Sequence, residues 1–233
     1  MKNETEKNSK TWEEIYENSN FGNKYPSSYL VSLYYRIIKK QLPIQNQKKI
    51  KVLDFGCSFG ANSKIFMDAG CDVYGIDISN VAIQYCVNKM GFDREKFKAC
   101  DVMEEGFSIE KEFGKFDLII ASECLYYFTK SDLDILLKKF SACMNDNGIF
   151  YANMSTYHHE LYQDYKETIP NRDGMTKIES SGTANQPLYV RLVRDKAEMK
   201  NIFSCFEEVA TLRSVYELAS ENESLHYIGR KRK

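Results

Sequence analysis

The feature that most constrains this chain is an apolar segment, Lys51–Phe55, which runs directly into a glycine-rich turn that ends at Gly60. A helical pattern follows the turn, and a second apolar segment, Asp72–Asp77, ends on a carboxylate. Continuous apolar segments of this length are typical of parallel strands buried on both faces. The order strand, glycine turn, helix, strand therefore predicts an open α/β sheet in which the backbone of the first loop closely approaches a ligand.

The positions of the glycines and carboxylates indicate a nucleoside site rather than a dinucleotide site. A dinucleotide fingerprint reads G-x-G-x-x-G and wraps a pyrophosphate, whereas here three residues separate Gly56 from Gly60. Asp54 ends the first strand, where its charge would repel a pyrophosphate but would suit a ligand that carries an ammonium and a sulfonium. Asp77 ends the second strand, and its carboxylate offers paired acceptors for ribose hydroxyls.

The segment Asp54-x-Gly56-x-Ser58-x-Gly60 resembles the D/E-x-G-x-G-x-G signature of class I S-adenosylmethionine (SAM)-dependent methyltransferases, with Ser58 in place of the middle glycine. The resemblance covers roughly residues 48–155, in the order and spacing of the family. Four further motifs carry it, at residues 75–77, 100–102, 116–122 and 147–152. Five motifs in register make the resemblance specific.

The resemblance implies a doubly wound, seven-stranded α/β sheet that is mostly parallel and has an antiparallel last strand beside the fifth. The apolar segments predict strands at residues 50–55, 72–77, 96–100, 116–122, 148–154, 208–215 and 224–231. Helical periodicity predicts helices at residues 61–69, 79–90, 132–144 and 196–203. Alternation of this kind implies right-handed crossovers.

Two regions outside this alternation are expected to be additions to a single domain, because 233 residues leave no room for two full α/β domains. Residues 1–47 are expected to form a helical lid segment: residues 1 to about 10 are polar and expected to be frayed, and the pattern is helical from Thr11 to about Gln41. The aromatic residues between Trp12 and Pro26 resemble the lid of small-molecule methyltransferases. Residues 48–233 are then the SAM-binding domain. Within it, residues 155–194 form a polar, breaker-rich insertion, which is usually functional and is expected on the acceptor side.

Composition predicts a cytoplasmic protein, because no apolar run approaches the roughly 18 residues of a membrane span and the N-terminus lacks the apolar core of a signal peptide. A net charge of −1 argues against a dedicated nucleic-acid binder. The seven cysteines and three histidines show no metal-ligand spacing, so no metal is expected. We expect a monomer or a homodimer with a small-molecule acceptor as its partner.

The resemblance assigns cofactor contacts to residues that follow the first four strands. These residues are Asp54, Gly56, Ser58, Gly60, Asp77, Ile78, Asp101, Val102 and Ala121. Asp54 is expected to interact with the ammonium of SAM, Asp77 with the ribose hydroxyls and Asp101 with the adenine amino group. An aspartate that ends a strand can also simply cap the next turn, and this alternative stays open for Asp101.

Few catalytic residues are needed, because the sulfonium is already a strong electrophile and the protein supplies alignment. A general base is required only when the acceptor is protonated at neutral pH, so the enzyme can also work without one. The candidates are Glu123 and Tyr127 after the fourth strand and His158 after the fifth. Each has a structural alternative: helix capping for Glu123, core packing for Tyr127 and surface exposure for His158.

The candidates for acceptor binding are Tyr25, Tyr126 and Arg191. Tyr25 belongs to the lid-like segment, and Tyr126 occupies a position where small-molecule methyltransferases often carry an aromatic or histidine residue. Arg191 is a candidate for binding an acidic group on the acceptor, and a surface ion pair is its alternative role.

The sequence thus predicts a SAM-dependent methyltransferase that transfers a methyl group to an O or N atom of a small metabolite. An RNA or protein methyltransferase is one alternative, although the chain lacks the Asn/Asp-Pro-Pro-Tyr motif after the fourth strand. A SAM-binding sensor or partner protein without methyl transfer is another, which the acidic residues cannot separate from an enzyme. Phenol, amine, sugar hydroxyl and carboxylate acceptors all remain open.

Overall fold

The computed structural model describes residues 4–18, 24–42, 49–158, 174–178, 187–216 and 222–232. The strands in these ranges are β1 (Lys51–Phe55), β2 (Asp72–Asp77), β3 (Phe97–Ala99), β4 (Phe116–Ala121), β5 (Met144–Ser155), β6 (Thr176–Ile178), β7 (Leu188–Val190), β8 (Phe206–Tyr216) and β9 (Asn222–Lys231). The helices are α1 (Glu4–Asn18), α2 (Ser28–Leu33), α3 (Lys39–Gln41), α4 (Ala61–Asp68), α5 (Asn80–Asn88), α6 (Ile109–Phe113), α7 (Lys130–Ala142) and α8 (Lys196–Ile202). A π-helical segment, Tyr34–Ile38, joins α2 to α3, and a 3-10 turn, Leu125–Tyr127, follows β4.

A seven-stranded sheet with the order β3-β2-β1-β4-β5-β9-β8 forms the centre of the molecule, and β1 to β5 are parallel. β9 runs antiparallel to β5, with Ile149 opposite Arg230 and Ser155 opposite Ser224, and it is also antiparallel to β8. This architecture confirms the predicted doubly wound α/β sheet and the antiparallel last strand beside the fifth. No helix in the described ranges combines the length and the apolar character that crossing a membrane requires.

The sheet separates two hydrophobic cores, because successive side chains of a strand point to opposite faces. On β1, Leu53 belongs to a core that includes apolar residues of α6, α7 and α8. Its neighbour Val52 belongs to the other core, which includes apolar residues of α2, α4 and α5. Both side chains are completely buried. A strand covered on both faces must be apolar at consecutive positions, which explains the continuous apolar segments of the sequence.

The sequence patterns did not predict α6, β6, β7 or the 3-10 turn, and α1 begins at Glu4, within the residues that were expected to be frayed. α6 has five residues, too few to show a helical repeat, and its N-terminus is capped by Ser108, whose side chain accepts a hydrogen bond from the Lys111 amide. β6 and β7 form a two-stranded antiparallel sheet inside the predicted insertion. Each has three residues, which is too short for an alternation to be recognised. Residues 159–173 and 179–186 of that insertion lie outside the described residues.

α1 lies across the carboxyl ends of the strands, and the buried side chain of Asn8 holds it there. The side-chain amide of Asn8 donates hydrogen bonds of 2.7 Å to the carbonyl oxygens of Tyr127 and Tyr189, and its oxygen accepts one of 2.7 Å from the Tyr189 amide. One turn earlier, the Thr5 hydroxyl accepts a hydrogen bond from the Thr129 amide. α1 is thereby attached both to β7 and to the segment between β4 and α7.

The Asn8→Ala variant should weaken this attachment, because it leaves backbone groups of Tyr127 and Tyr189 without their partner. We expect a loss of about 2–3 kcal/mol in the free energy of unfolding and faster amide hydrogen exchange throughout α1. Both quantities can be measured by chemical denaturation and hydrogen-exchange mass spectrometry. Glu17→Ala, at an exposed position of the same helix, is the matched control and should change neither. Unaltered exchange in α1 of Asn8→Ala would contradict the attachment.

Candidate active site

A cavity of about 560 Å³ lies between α1 and the carboxyl ends of β1 to β4. Its walls come from α1, the turn after β1, the end of β2, the loops after β3 and β4, and the start of α7. The volume falls in the usual range for small-molecule and cofactor sites. The strand order reverses between β1 and β4, and in open α/β sheets this is where ligands bind.

The turn after β1 has a backbone that few residues other than glycine adopt. Gly56, Ser58 and Gly60 all have positive φ angles, of 69°, 49° and 78°. A Cβ atom on Gly56 would lie 2.7 Å from the Cβ of Cys124, and one on Gly60 would lie 2.5 Å from the ring of Phe92. The two glycines are therefore required both by the backbone conformation and by the close packing of neighbouring side chains.

Asp77 connects this turn to the loop after β2. One carboxylate oxygen accepts a hydrogen bond of 2.8 Å from the Ser58 amide, and the other accepts one of 3.0 Å from the Ser79 amide. The side chain is buried but lines the cavity. Burial raises the pKa of Asp77 to about 6, although its hydrogen bonds to the Ser79 and Ser58 amides act in the opposite direction and the charge of Glu13 adds to the increase.

Asp54 lies behind the cavity wall rather than in it. Its carboxylate is 1% exposed and accepts a hydrogen bond of 2.6 Å from the Ser63 hydroxyl at the start of α4. Burial raises the pKa of Asp54 to about 7, against the lowering effect of the Ser63 hydrogen bond, and the charge of Asp77 contributes to the increase. Two carboxyl groups with raised pKa values thus lie at the ends of adjacent strands, which is typical of functional sites.

The loop after β3 forms the next part of the wall and contains Asp101 and Val102, while Ile78 lines the cavity from the end of β2. An Asp101 carboxylate oxygen accepts a hydrogen bond of 2.8 Å from the Met103 amide, which is the capping arrangement considered as its alternative role. Lys139 of α7 holds the loop in place, because its ammonium donates hydrogen bonds to the carbonyl oxygens of Val102 and Phe107, at 2.6 and 3.0 Å.

Glu123 lines the cavity after β4 and has a strained backbone. Its φ angle is 58°, which is uncommon for a residue other than glycine and costs of order 1–3 kcal/mol. The Glu123 amide donates a hydrogen bond of 2.7 Å to the side-chain oxygen of Asn153, a buried residue of β5. Desolvation by the neighbouring side chains raises the pKa of the Glu123 carboxyl group, although the residue as a whole is exposed. Asn153 is a polar residue within the apolar run of residues 148–154, and that exception is the signal by which the sequence could have identified it.

Aromatic side chains of α1 and of the 3-10 turn form another wall. The ring of Trp12 lies 5.1 Å from that of Tyr127 in an edge-to-face arrangement and 5.5 Å from that of Tyr16. Burial raises the pKa of both tyrosine hydroxyls well above their ordinary value. Each hydroxyl therefore stays protonated at neutral pH, where it acts as a hydrogen-bond donor rather than a base.

The structure does not bring all the predicted residues to the cavity. Gly60 and Ala121 lie outside the lining residues, and Tyr126 is buried with its ring 4.5 Å from that of Tyr127. Tyr25 is 80% exposed, and His158 is also exposed, with its amide donating to the Thr156 hydroxyl.

Arg191 follows β7, and its guanidinium lies beside Gly174 rather than in the cavity lining. The roles proposed for these residues remain predictions. Conversely, several lining residues belong to no recognisable motif and were not predicted: Glu6, Ser9, Glu104, Asp132 and Ile135.

The charge of the lining residues fits SAM, which carries a sulfonium and an ammonium. The acidic side chains among them are Glu6, Asp77, Asp101, Glu104, Glu123 and Asp132. Within the described ranges, the lining includes no lysine, arginine or histidine. Such a lining would repel a pyrophosphate and accommodates a ligand with positive charge. Among the described residues no group of three or more His, Cys, Asp or Glu side chains could hold a metal ion.

The Asp54→Asn variant tests the raised pKa of this buried carboxyl group. The pKa is 3.8 in an unperturbed aspartate and about 7 here, so the folded protein keeps a proton that the unfolded chain releases. The stability that the group contributes is therefore complete below pH 4 and is lost as the pH rises to about 7. The neutral amide avoids this loss. At pH 8 the variant should therefore be more stable than the wild type, with a free energy of unfolding about 1–4 kcal/mol higher.

Chemical denaturation between pH 5 and 8 measures this difference, which should grow with pH. The matched control is Asp68→Asn, an exposed aspartate in the same part of the chain. A difference between Asp54→Asn and the wild type that stays constant with pH would contradict the raised pKa.

The chain matches a known family over most of its length. The profile of a family described as a methyltransferase domain matches residues 28–188. The ubiquinone biosynthesis O-methyltransferase of Pelagibacter ubique is 31% identical over 117 residues, which are 50% of this chain and 45% of that protein. The alignment therefore spans less than half the length of that relative.

Two solved structures share the fold. A SAM-dependent methyltransferase from Methanosarcina mazei has a TM-score of 0.67 at 19% identity, over 84% of this chain and 97% of that one. The 1,6-didemethyltoxoflavin-N1-methyltransferase of Burkholderia thailandensis, solved with 1,6-didemethyltoxoflavin and S-adenosylhomocysteine, has a TM-score of 0.61 at 15% identity, over 88% and 78%. The profile match, the order of the sheet and the glycine turn agree: this chain belongs to the class I SAM-dependent methyltransferases, and SAM is its cofactor.

Proposed function

We propose that this enzyme transfers the methyl group of SAM to an oxygen or nitrogen atom of a small molecule. In this proposal the acceptor is enclosed between α1 and the carboxyl ends of the strands, close to Glu123 and Tyr127. Residues 1–47 act as the lid of a catalytic domain formed by residues 48–233.

The observation that most strongly supports a small acceptor is the roof that α1 forms over the cavity. On one side the ring of Tyr16 lies 5.3 Å from that of Phe59 in the glycine turn. On the other side the ring of Trp12 lies 5.1 Å from that of Tyr127. A roof attached at both sides suits a small molecule that shares this cavity of about 560 Å³ with SAM, whereas an RNA or protein chain needs an open surface.

The cofactor is proposed to lie along the ends of β1, β2 and β3. When bound, SAM supplies a methyl group on a positively charged sulfur, and the acceptor's lone pair takes this methyl while the electrons of the broken S–C bond stay on sulfur. Asp77 holds the ribose hydroxyls, since each carboxylate oxygen can accept more than the one amide hydrogen bond it already has. Asp101 binds the adenine amino group, and Asp54 provides negative charge behind the glycine turn for the ammonium.

Of the three candidate bases, Glu123 is best placed to accept a proton from the acceptor. It lines the cavity, and desolvation raises the pKa of its carboxyl group above the ordinary value, which is the direction that favours a general base. Tyr127 also lines the cavity, but its raised pKa keeps the phenol protonated, so its role is to donate a hydrogen bond. His158 lies outside the lining residues.

Known relatives support a small acceptor. The Pelagibacter relative is named for ubiquinone biosynthesis, and the Burkholderia structure contains the small molecule that gives its enzyme its name. Neither identifies the acceptor of this chain. The alignment with the first covers half of this chain, and the sequence identity with the second is 15%.

Incubation with methyl-labelled SAM and a cell extract separated into low-mass, RNA and protein fractions tests the proposal. We expect label to enter the low-mass fraction. Transfer by Asp77→Asn should be at least about tenfold weaker, because the variant loses a charged hydrogen-bond acceptor. Asp72→Asn, at the opposite end of the same strand, is the matched control and should retain activity. Label in RNA or protein would contradict a small acceptor, and transfer to no fraction would favour a sensor.

A further inference from the structure

We propose that the side-chain amide of Asn62 binds the carboxylate of the cofactor's methionine part, and that the backbone amide of Ser27 holds it in the orientation this requires. The inference rests on the placement of SAM proposed above and goes beyond it, because that placement names no partner for the carboxylate. SAM ends in an α-amino acid, whose carboxylate needs hydrogen-bond donors once it leaves water.

The orientation of the Asn62 side chain is fixed by the residue that precedes α2. Its Oδ1 atom accepts a hydrogen bond of 3.0 Å from the Ser27 amide. A backbone amide can only donate, so the atom that faces it must be the oxygen, and the NH2 group occupies the other branch of the side chain. The Ser27 contact therefore disfavours the flipped side chain, in which an oxygen would replace the two N–H donors.

The NH2 group of Asn62 remains available for a ligand. Asn62 is partly exposed and belongs to the residues that line the cavity, whereas Ser27 does not. No described residue accepts a hydrogen bond from the Nδ2 atom of Asn62. Attachment of α4 to α2 needs only the side-chain oxygen, so a purely structural role leaves both N–H donors unexplained. These donors suit an anionic oxygen in the cavity.

The place of Asn62 in the fold matches the compact shape of an α-amino acid. Asp54 is proposed to attract the ammonium, and its carboxylate accepts a hydrogen bond of 2.6 Å from the Ser63 hydroxyl. Asn62 directly precedes Ser63 in the first turn of α4. The ammonium and the carboxylate of an α-amino acid are bonded to the same carbon atom, so their partners must lie close together. A negative group and a neutral donor thus meet beside the glycine turn.

The contact with Ser27 also connects the cofactor site to the N-terminal segment. Ser27 caps α2, because its side chain accepts a hydrogen bond of 3.3 Å from the Leu30 amide. It belongs to residues 1–47, which are proposed to act as the lid. The position of this segment therefore determines how the donors of Asn62 are presented, and Ser27 is a positioning residue for the cofactor.

Two ligands that differ only in the carboxylate test the inference: S-adenosylhomocysteine and its decarboxylated analogue, 5′-deoxy-5′-(3-aminopropylthio)adenosine. Both are titrated calorimetrically into the wild type and into Asn62→Ala. The wild type should bind S-adenosylhomocysteine about tenfold more tightly than the analogue, and Asn62→Ala should keep a preference of at most about threefold. Equal binding of the two ligands by the wild type, or an unchanged preference in Asn62→Ala, would overturn the inference.

Asn62→Asp should reverse the preference. This variant keeps an oxygen for the Ser27 amide but replaces the N–H donors by a negative charge, which repels the carboxylate. The decarboxylated analogue should then bind more tightly than S-adenosylhomocysteine. Asn88→Asp is the matched control, because it adds the same charge at an exposed position of α5 outside the lining residues. A preference for S-adenosylhomocysteine that persists in Asn62→Asp would contradict the proposed contact.

Ser27→Pro and Ser27→Ala isolate the contribution of the Ser27 amide. Both lose the side-chain cap of α2, but only proline removes the N–H group that Asn62 accepts from, and the φ angle of −59° at Ser27 is one that proline adopts. Ser27→Pro should reduce the preference to the level of Asn62→Ala, whereas Ser27→Ala should keep it. Equal preferences in the two variants would overturn the role of the Ser27 amide. Failure of the folded wild type to bind S-adenosylhomocysteine would contradict the cofactor placement itself, and this inference with it.

Discussion

The hydrogen bonds that Asp77 accepts determine the form of the whole site. Its two carboxylate oxygens join the Ser58 amide in the glycine turn to the Ser79 amide before α5. These bonds connect the loops after β1 and β2, and the cavity lies along that edge of the sheet. Without this carboxylate, the positive φ angle of Ser58 would lose the bond that compensates its strain. The residue proposed to bind the ribose therefore also builds the surface on which the cofactor lies.

This arrangement confines negative charge where water is scarce. Burial raises the pKa values of Asp54 and Asp77, and the described lining includes no basic side chain that would lower them. Ionised carboxylates in such surroundings cost free energy until a cation or a hydrogen-bond donor pairs with them. A ligand with an ammonium and ribose hydroxyls supplies both. The buried carboxylates therefore lower the stability of the ligand-free protein and favour the binding of such a ligand.

The parts predicted from the sequence are those that depend on local chemistry. The strands β1, β2 and β4 and the part of β5 from Ile149 are recognisable because burial on both faces requires continuous apolar residues, and the turn at Gly56 because its backbone excludes most side chains. The attachment of α1 depends instead on Asn8 meeting Tyr189, 181 residues away, and no local pattern records that contact. Glu123 was recognised as a candidate, but its strain depends on Asn153 from another strand. Such pairings are determined only when the chain has folded.

The central claim, that this edge of the sheet holds SAM through Asp77, is tested most directly by calorimetric titration of the wild type, Asp77→Asn and Asp72→Asn with S-adenosylhomocysteine. We predict micromolar binding by the wild type and by Asp72→Asn, and about 10- to 100-fold weaker binding by Asp77→Asn, because a charged hydrogen-bond acceptor is lost. Equal affinity of all three proteins, or no binding to the folded wild type, would contradict the account.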